Sequence, residues 1–408
     1  MSSVAAAARA AKDSTLRDVR WQEDLNYLAN ELPAKQRDFF KLIPKEKFEK
    51  EIAELNGKIP QLSDWEIVLQ LIRIVAGLGV AHTTVTGDGW MAQQVHVYPL
   101  KVEWFSDELA VVATAPEYRE ALGARVVRIG SLTPMQAEAA VAPYLAHENS
   151  VWLHFRSPGC MMFAELMQHE KIAGPDGRMQ ITLAKGDGKP FTLELTPVSL
   201  PEEKKAGRVL AWDVLPIPPT LYLKQLKAFY WYEYLPDTRA LYIQYNKCKN
   251  DPEKPFEAFA KELFAFADSH PVQRVIVDLR FNAGGEGGVV VPLLEGLEAR
   301  PALNANGHLY ALIGSGTFSS GVLAASAFKH DLQAILVGES TGGKPNSYGE
   351  ARLLVLPNSK LTVQYAVKYF RVLPGADPSS LEPDIYMPLS VNDFLEGRDP
   401  VLNAVLYR

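Results

Sequence analysis

The sequence is poor in the features that mark several common classes of protein. Its two cysteines, Cys160 and Cys248, allow one disulfide at most and supply neither a disulfide framework nor a paired-cysteine metal site. No run of about 18 apolar residues occurs, so we expect no membrane-spanning segment. Basic residues are not in excess, because 42 Lys and Arg stand against 48 Asp and Glu, a net charge of −6. That balance argues against a nucleic-acid partner.

Targeting and cofactor signals are missing as well. The first residues are small and lack the apolar core of a signal peptide, which predicts either a cytosolic protein or a chain whose leader has been removed. A glycine cluster at 284–288 lacks the G-K-[ST] ending of a phosphate loop and the spacing of a dinucleotide fingerprint, so we expect no cofactor. The histidines other than His82 show no metal-ligand spacing, which predicts no zinc site.

The pattern of apolar residues changes twice along the 408 residues, and the length suggests two or three domains. Residues 1–83 are predicted to form a helical domain, with a capping box at Ser63 and Glu66. Residues 84–205 are predicted to be rich in strands, including a hairpin around Gly186 and Gly188. Residues 206–408 alternate strands and helices, which predicts an α/β domain with a largely parallel sheet.

Two adjacent serines, Ser319 and Ser320, stand between a predicted strand and a predicted helix. Serine at the start of a helix is usually a cap, which is the simplest interpretation. A strand–turn–helix junction also raises the nucleophile of some hydrolases above the edge of a sheet. The G-x-S-x-G consensus of that elbow is not met, because Thr317 replaces the first glycine. The spacing alone leaves both interpretations open.

A glycine-rich turn, DLRFNAGGEGG at 278–288, follows another strand of the same predicted sheet. A Gly-Gly pair is often a plain tight turn. Glycines also let backbone amides approach a ligand closely, and an acyl-transfer site needs such amides for its oxyanion. Asp278 and Arg280 are expected to fix the edge of the sheet rather than to take part in catalysis.

Five segments of the chain resemble the tail-specific (C-terminal processing) serine protease family. In chain order they are GLGVAHTTV, VIVDLRFNAGG, SGTFSSGVLAASAF, ILVGESTGGKPNSYG and PDIYMPLSVNDFLEGRDPVL. The first is similar to the histidine segment of the branch that holds the tricorn core and the interphotoreceptor retinoid-binding modules. The resemblance implies an α/β fold, with a crotonase/ClpP-like spiral sheet domain, a helical N-terminal part and a diverged PDZ-like β module.

The resemblance also implies a serine endopeptidase that acts on peptides or unfolded polypeptides. Ser319 matches the family nucleophile, and the amide of Ser320 would join the oxyanion hole. Gly284 or Gly285 would give the second amide, with Gly284 preferred because it lies nearer the end of the strand. Relatives that carry lipids or other small ligands, and the PDZ-like stretch, leave open a non-catalytic protein on the same fold that binds a lipid, a small ligand or a peptide.

Two residues match the bases that the family uses. His82 matches the histidine of the tricorn-like branch, and Lys344, 25 residues after Ser319, matches the lysine of the other branch. His82 is preferred because an imidazole titrates near neutrality without help, whereas a lysine requires desolvation. Asp377, shortly before PDI, best matches the acidic residue of the tricorn-like set. Two positions depart from the family patterns. Ala81 stands where the tricorn-like branch has a serine, and Tyr348 stands where the lysine branch has a glutamine.

Overall fold

The structure is a computed structural model that describes residues 2–87, 90–106, 108–186, 188–207, 213–214, 220–305 and 307–408. Its N-terminal part is helical and comprises α1 (Ser2–Lys35), α2 (Phe39–Leu42), α3 (Lys45–Lys58) and α4 (Asp64–Ala76). Helix α4 begins with the predicted capping box, in which the Ser63 hydroxyl and the Glu66 carboxylate each accept from the other residue's amide. Most of α4 is buried, and Gly77 ends it, so the chain emerges from the core five residues before His82.

The middle of the chain forms an antiparallel sheet with helices beside it. Its elements are β1 (Thr84–Val85), α5 (Trp90–Gln94), β2 (His96–Val97), β3 (Leu100–Phe105), β4 (Glu108–Thr114), β5 (Arg125–Ile129), α6 (Pro134–Val141), α7 (Ser150–Met161), α8 (Ala164–His169), β6 (Met179–Ala184), β7 (Pro190–Leu195), β8 (Val198–Ser199), α9 (Leu200–Lys205) and β9 (Asp213–Val214). The strand order is β3–β4–β5–β6–β7, with β9 on β4. The predicted hairpin is confirmed as β6–β7, whereas α7 and α8 were not predicted.

The C-terminal part is built on a six-stranded sheet in the order β10–β11–β12–β13–β14–β17. The elements here are β10 (Tyr230–Leu235), β11 (Ala240–Tyr245), α10 (Phe256–Ser269), β12 (Arg274–Asp278), α11 (Val291–Glu298), β13 (Leu309–Ile313), α12 (Ser320–His330), β14 (Ile335–Gly338), β15 (Ser347–Val355), β16 (Thr362–Phe370), β17 (Ile385–Tyr386), α13 (Val391–Leu395) and α14 (Pro400–Leu406). All pairs from β11 onward are parallel, as predicted. Because β12 and β13 are parallel neighbours, the turns that follow them meet at one edge of the sheet.

A long hairpin, β15–β16, connects this sheet with the N-terminal part. Strand β16 pairs on its other side with β1, so that Thr84 lies opposite Gln364 and Val85 opposite Val363. The Gln364 amide also donates to the His82 carbonyl at 3.1 Å. The hairpin therefore brings the loop that precedes β1 towards the six-stranded sheet, although the parallel strands of that sheet begin more than 150 residues further along the chain.

The buried apolar residues divide along the same lines. One cluster joins the N-terminal helices, the antiparallel sheet and β15–β16. Two others cover the faces of the six-stranded sheet: Val275 and Val277 of β12 belong to one, and Ile276 to the other. The fold is mixed α/β with several sheets. The PDZ-like and crotonase-like details and the domain boundaries at 83/84 and 205/206 remain predictions. In the described ranges, every helix is too short or too polar to cross a bilayer.

Candidate active site

Ser319 lies on a sharp turn between β13 and α12. Its backbone has φ 52° and ψ −126°, a conformation that costs free energy for a residue with a side chain. Thr317, which departs from the elbow consensus, holds the turn: its hydroxyl donates to the Leu279 carbonyl at 2.9 Å and accepts from the Gly314 amide at 3.1 Å. The Phe318 amide donates to the Asn282 carbonyl at 2.9 Å. The strained turn is thus fixed by bonds to the turn after β12.

Neither serine caps α12 through its side chain. Ser319 occupies the N-cap position without a capping hydrogen bond, and Ser320 is the first helical residue. The Ser320 hydroxyl donates instead to the Gly285 carbonyl at 2.8 Å. The expectation that Ser320 caps the helix is therefore wrong, because its side chain points across to the glycine-rich turn.

The glycine pair at 284–285 lies directly against Ser319 and Ser320. Both glycines have positive φ, 100° and 134°. A Cβ on Gly284 would come within 2.7 Å of the Ser319 Cβ and 2.9 Å of the Ser320 amide nitrogen. Only a glycine leaves that space empty.

The two glycine amides differ in their hydrogen bonding. The Gly284 amide donates to the Asn282 side-chain oxygen at 2.9 Å. Across the described part of the chain, the amides of Gly285 and Ser320 have no acceptor among the protein's hydrogen bonds. The sequence-based preference for Gly284 as an oxyanion donor therefore does not fit the geometry, which favours Gly285 together with Ser320.

His82 and Ser319 come from opposite ends of the chain and meet in the structure. The His82 Nε2 atom lies 2.9 Å from the Ser319 Oγ, within the distance required of a general base. His82 is buried, with 9% of its surface exposed. Its ring stacks on Phe318 at 4.7 Å between centroids, and Phe318 in turn stacks on Trp152 at 3.9 Å.

Burial lowers the pKa of His82 to about 4, because the charged imidazolium loses its hydration. The Tyr348 backbone makes a hydrogen-bonding contact with the ring and opposes this shift in part. The Nδ1 atom is buried and has no side-chain partner among the described residues. At neutral pH the ring is therefore uncharged and able to accept a proton.

Lys344 and Asp377 lie near this site but pair with one another. The Lys344 Nζ is 3.1 Å from the Asp377 Oδ2, and 61% of the Asp377 side chain is exposed. Among the described residues no hydrogen bond joins Asp377, the predicted acidic residue, to His82, because its carboxylate faces the lysine and solvent. The turn before Lys344 does reach the nucleophile, since a Cβ on Gly343 would lie 3.1 Å from the Ser319 amide nitrogen.

The segment His147–Glu148–Asn149 was not predicted as part of the site, although it connects three of these loops. The Asn149 side chain donates to the Gly342 carbonyl at 3.0 Å and to the Ser379 carbonyl at 2.6 Å, and it also caps α7. Glu148 is largely buried, and burial raises the pKa of its carboxyl to about 7, against the opposing influence of Lys344 and the Ala81 backbone amide. An asparagine before an apolar helix is a recognisable cap, but the contacts of Glu148 leave no local sequence signal.

Arg280 and Asp278 fix the edge of the sheet, as predicted. The Arg280 guanidinium, 11% exposed, pairs with Asp278 at 2.6 Å and with Asp399 at 2.8 Å. Tyr242 also donates to Asp278 at 2.7 Å. The cluster is buried at the start of the glycine-rich turn, where it supports the glycines that lie against Ser319. Elsewhere in the described residues, Cys160 and Cys248 are both free thiols and no three His, Cys, Asp or Glu side chains gather to bind a metal.

Comparison with known proteins points to the tail-specific serine proteases. Residues 292–387, which include Ser319, Ser320 and Lys344, match the model described as peptidase family S41. The match supports a serine-type peptidase, and a non-catalytic carrier is not favoured. No curated protein matches the sequence.

The fold of the chain is similar to that of solved structures. Mature CPAF complexed with lactacystin has a TM-score of 0.66 and 14% identity, over 96% of this chain and 98% of that one. A second structure of mature CPAF has a TM-score of 0.65 and 14% sequence identity, over 96% of both chains. The tricorn protease gives a TM-score of 0.46 and 13% identity over 96% of this chain and 36% of that one, so the tricorn-like branch remains a prediction.

Proposed function

We propose that this S41 peptidase is an endopeptidase for peptides or unfolded polypeptides, with Ser319 as nucleophile and His82 as general base. The observation that carries the proposal is the 2.9 Å contact between the His82 Nε2 and the Ser319 Oγ on a strained elbow. The aromatic stack supports it, because it buries the imidazole and keeps it neutral at physiological pH.

The reaction has two halves, acylation and deacylation, and His82 acts as base and then as acid in each of them. The Ser319 Oγ attacks the substrate carbonyl carbon while its proton passes to the His82 Nε2. The carbonyl oxygen becomes an oxyanion, for which the free amides of Ser320 and Gly285 are the proposed donors. His82 then gives its proton to the leaving amine, the C–N bond breaks and an acyl-enzyme remains. Water repeats the sequence with His82 again as base, releases the acid and restores the Ser319 hydroxyl.

Lys344 is the second candidate for the base. Its ammonium is held by Asp377 at 3.1 Å, and an ion-paired lysine is a poor proton acceptor. The same pairing favours a role for Lys344 in holding the 377 segment near the site. His82 is therefore preferred on both distance and charge.

A fluorophosphonate probe tests the proposal, because a reactive serine attacks its phosphorus and expels fluoride. We expect stoichiometric labelling that peptide mapping assigns to Ser319, with none in Ser319→Ala. Ser320→Ala is the matched control, since the hydroxyls are adjacent and only one faces His82. Labelling of Ser320, or equal labelling of wild type and Ser319→Ala, would contradict the assignment.

A further inference from the structure

The direction of the Gly285 amide is fixed by the peptide unit that it shares with Gly284. In a trans peptide the carbonyl oxygen and the amide hydrogen point in opposite directions. The Gly284 carbonyl accepts from the Cys248 amide at 3.1 Å. The Gly285 N–H, which has no acceptor within the described part of the chain, therefore points away from Cys248. The orientation of this one peptide unit determines whether the amide can serve an oxyanion.

The Asn282 side chain holds the same peptide unit through its other end. The side chain is completely buried, and its Nδ2 donates to the Tyr245 carbonyl, at the end of β11, at 2.8 Å. Its Oδ1 accepts from the Gly284 amide at 2.9 Å and from the Cys248 thiol at 3.3 Å. Because a carbonyl only accepts, the atom that faces Tyr245 is the nitrogen and the oxygen faces the turn. One side chain thus connects a strand of the sheet to the glycine pair.

The backbone of Asn282 contacts the nucleophile turn as well. Its carbonyl accepts from the Phe318 amide at 2.9 Å. The first turn of α12 packs closely on the same residue, because a Cβ on Gly321 would lie 2.3 Å from the Asn282 carbonyl oxygen and 3.1 Å from its Oδ1. Asn282 therefore contacts both segments that carry the proposed oxyanion donors, the amides of Gly285 and Ser320.

We propose that Asn282 is the positioning residue of the oxyanion hole: its side chain, anchored on the Tyr245 carbonyl, occupies the Gly284 amide and so leaves Gly285 as the amide that faces the substrate oxygen. This inference rests on the proposed function. Because the side chain is fully buried, it does not reach a substrate, and no proton moves to or from it. An amide suits this position because it donates and accepts at once, which neither a carboxylate nor an apolar side chain of similar size does.

The test compares two buried asparagines. Asn282→Ala removes both bonds of the bridge. Asn246→Ala is the matched control, because Asn246 is 4% exposed and its amide donates at 3.0 Å to the Ala228 carbonyl, outside the glycine-rich turn. Fluorophosphonate titration gives the fraction of active molecules. We expect Asn282→Ala to lower kcat per active site by about 10- to 100-fold, with KM within about threefold, because a donor is misdirected rather than deleted. Asn246→Ala should stay within about threefold of wild type.

A peptide aldehyde separates an effect on the oxyanion from a loss of structure. The Ser319 Oγ adds to the aldehyde carbon, and the former carbonyl oxygen then lies where the oxyanion of the reaction would lie. The inhibition constant of the aldehyde should rise in Asn282→Ala by the same factor as kcat/KM falls. A merely structural role would reduce the titratable fraction and leave both kcat per active site and the inhibition constant unchanged.

Several results would overturn the inference. They are a kcat per active site for Asn282→Ala within about threefold of wild type, an equal loss in Asn246→Ala, or an unchanged inhibition constant. If the alanine variant does not fold, Asn282→Asp gives a second measurement, since it keeps the volume but cannot donate to the Tyr245 carbonyl. It should lower kcat at least about fivefold, and an unchanged kcat contradicts the proposal. Failure of wild type to label at Ser319 would contradict the proposed function, whereas normal labelling beside an unaffected Asn282→Ala contradicts this inference alone.

Discussion

The two halves of the site are built in different ways. The Ser319 half consists of two turns at one edge of a parallel sheet, and its polar groups bond to each other: Thr317 to Leu279, Ser320 to Gly285 and Gly284 to Asn282. The His82 half is assembled from segments distant in sequence, including β16 and the loop before α7. The backbone contact of the His82 ring comes from Tyr348 of β15, 266 residues further along the chain.

The difference shows which half is complete before substrate binds. Side-chain hydrogen bonds to the neighbouring backbone hold the two turns in one geometry and leave the Gly285 and Ser320 amides open to a substrate oxygen. The nucleophile and its proposed oxyanion amides are therefore preorganised by local contacts, whereas the position of the base depends on contacts between distant segments. The following predictions test this contrast.

The largest effect is expected for Ser319→Ala. Hydrolysis of an unfolded polypeptide should be abolished, because covalent catalysis has no other nucleophile at this site. The thermal midpoint should change little, since the side chain makes no capping bond and its hydrogen bond to His82 is worth about 1 kcal/mol. Peptidase assays and thermal melts of the same preparation check both points, and residual full activity would contradict the assignment.

His82→Ala should come next. Without a base, the rate should fall to the background left by the oxyanion amides, some orders of magnitude below wild type. A truncated chain that starts after residue 84 should be inactive for the same reason. Steady-state kinetics measure both, and near-normal activity in either one would exclude His82 as the base.

Gly284→Ala tests the preorganised half. Its Cβ would press on Ser319 and on the Ser320 amide, at a φ of 100° that disfavours any side chain. We expect kcat/KM to fall by about 100-fold or more, as when an oxyanion donor is lost. Gly288→Ala is the matched control, because a Cβ there meets nothing within 4 Å. Equal activity of the two variants would show that the space beside Ser320 is not used.

The pH profile probes the burial of the base. An ordinary histidine gives a rise in kcat/KM near pH 6.5. Because burial disfavours the imidazolium, His82 stays neutral down to about pH 4, so activity should persist below pH 6 and fall only as the ring protonates. The dependence of kcat/KM on pH between about 4 and 8 measures this midpoint, and a midpoint at about 6.5 would indicate a solvated histidine.

Lys344→Ala should have the smallest effect of the five. Its ammonium pairs with an exposed Asp377, and an ion pair of this kind contributes about 1 kcal/mol or less. We expect at most a tenfold loss of kcat/KM, due to looser packing of the 377 segment. An inactive Lys344→Ala beside an active His82→Ala would reverse the ranking of the two bases.

The contrast between local contacts and contacts of distant segments also determines what could be predicted from the sequence. Short-range patterns gave the capping box at Ser63, the β6–β7 hairpin and the parallel sheet, because propensity and periodicity act over a few residues. Helix α7 was missed, since Pro158 lies inside it and obscures the pattern. The elbow at Ser319 has local signals, but His82 was found only through the family resemblance. Glu148 had neither, because its neighbours Ala81 and Lys344 are distant in sequence and only the topology brings them together.

The cluster of Arg280, Asp278 and Asp399 has a consequence for the order of events during synthesis. Arg280 stands two residues before the glycine-rich turn's Asn282, and its second carboxylate lies 119 residues further along the chain. A nascent chain that ends before Asp399 leaves this buried guanidinium with one partner in place of two, a destabilisation of a few kcal/mol. The turn against Ser319 is therefore fully braced only after Asp399 has been synthesised and α14 has packed on the sheet.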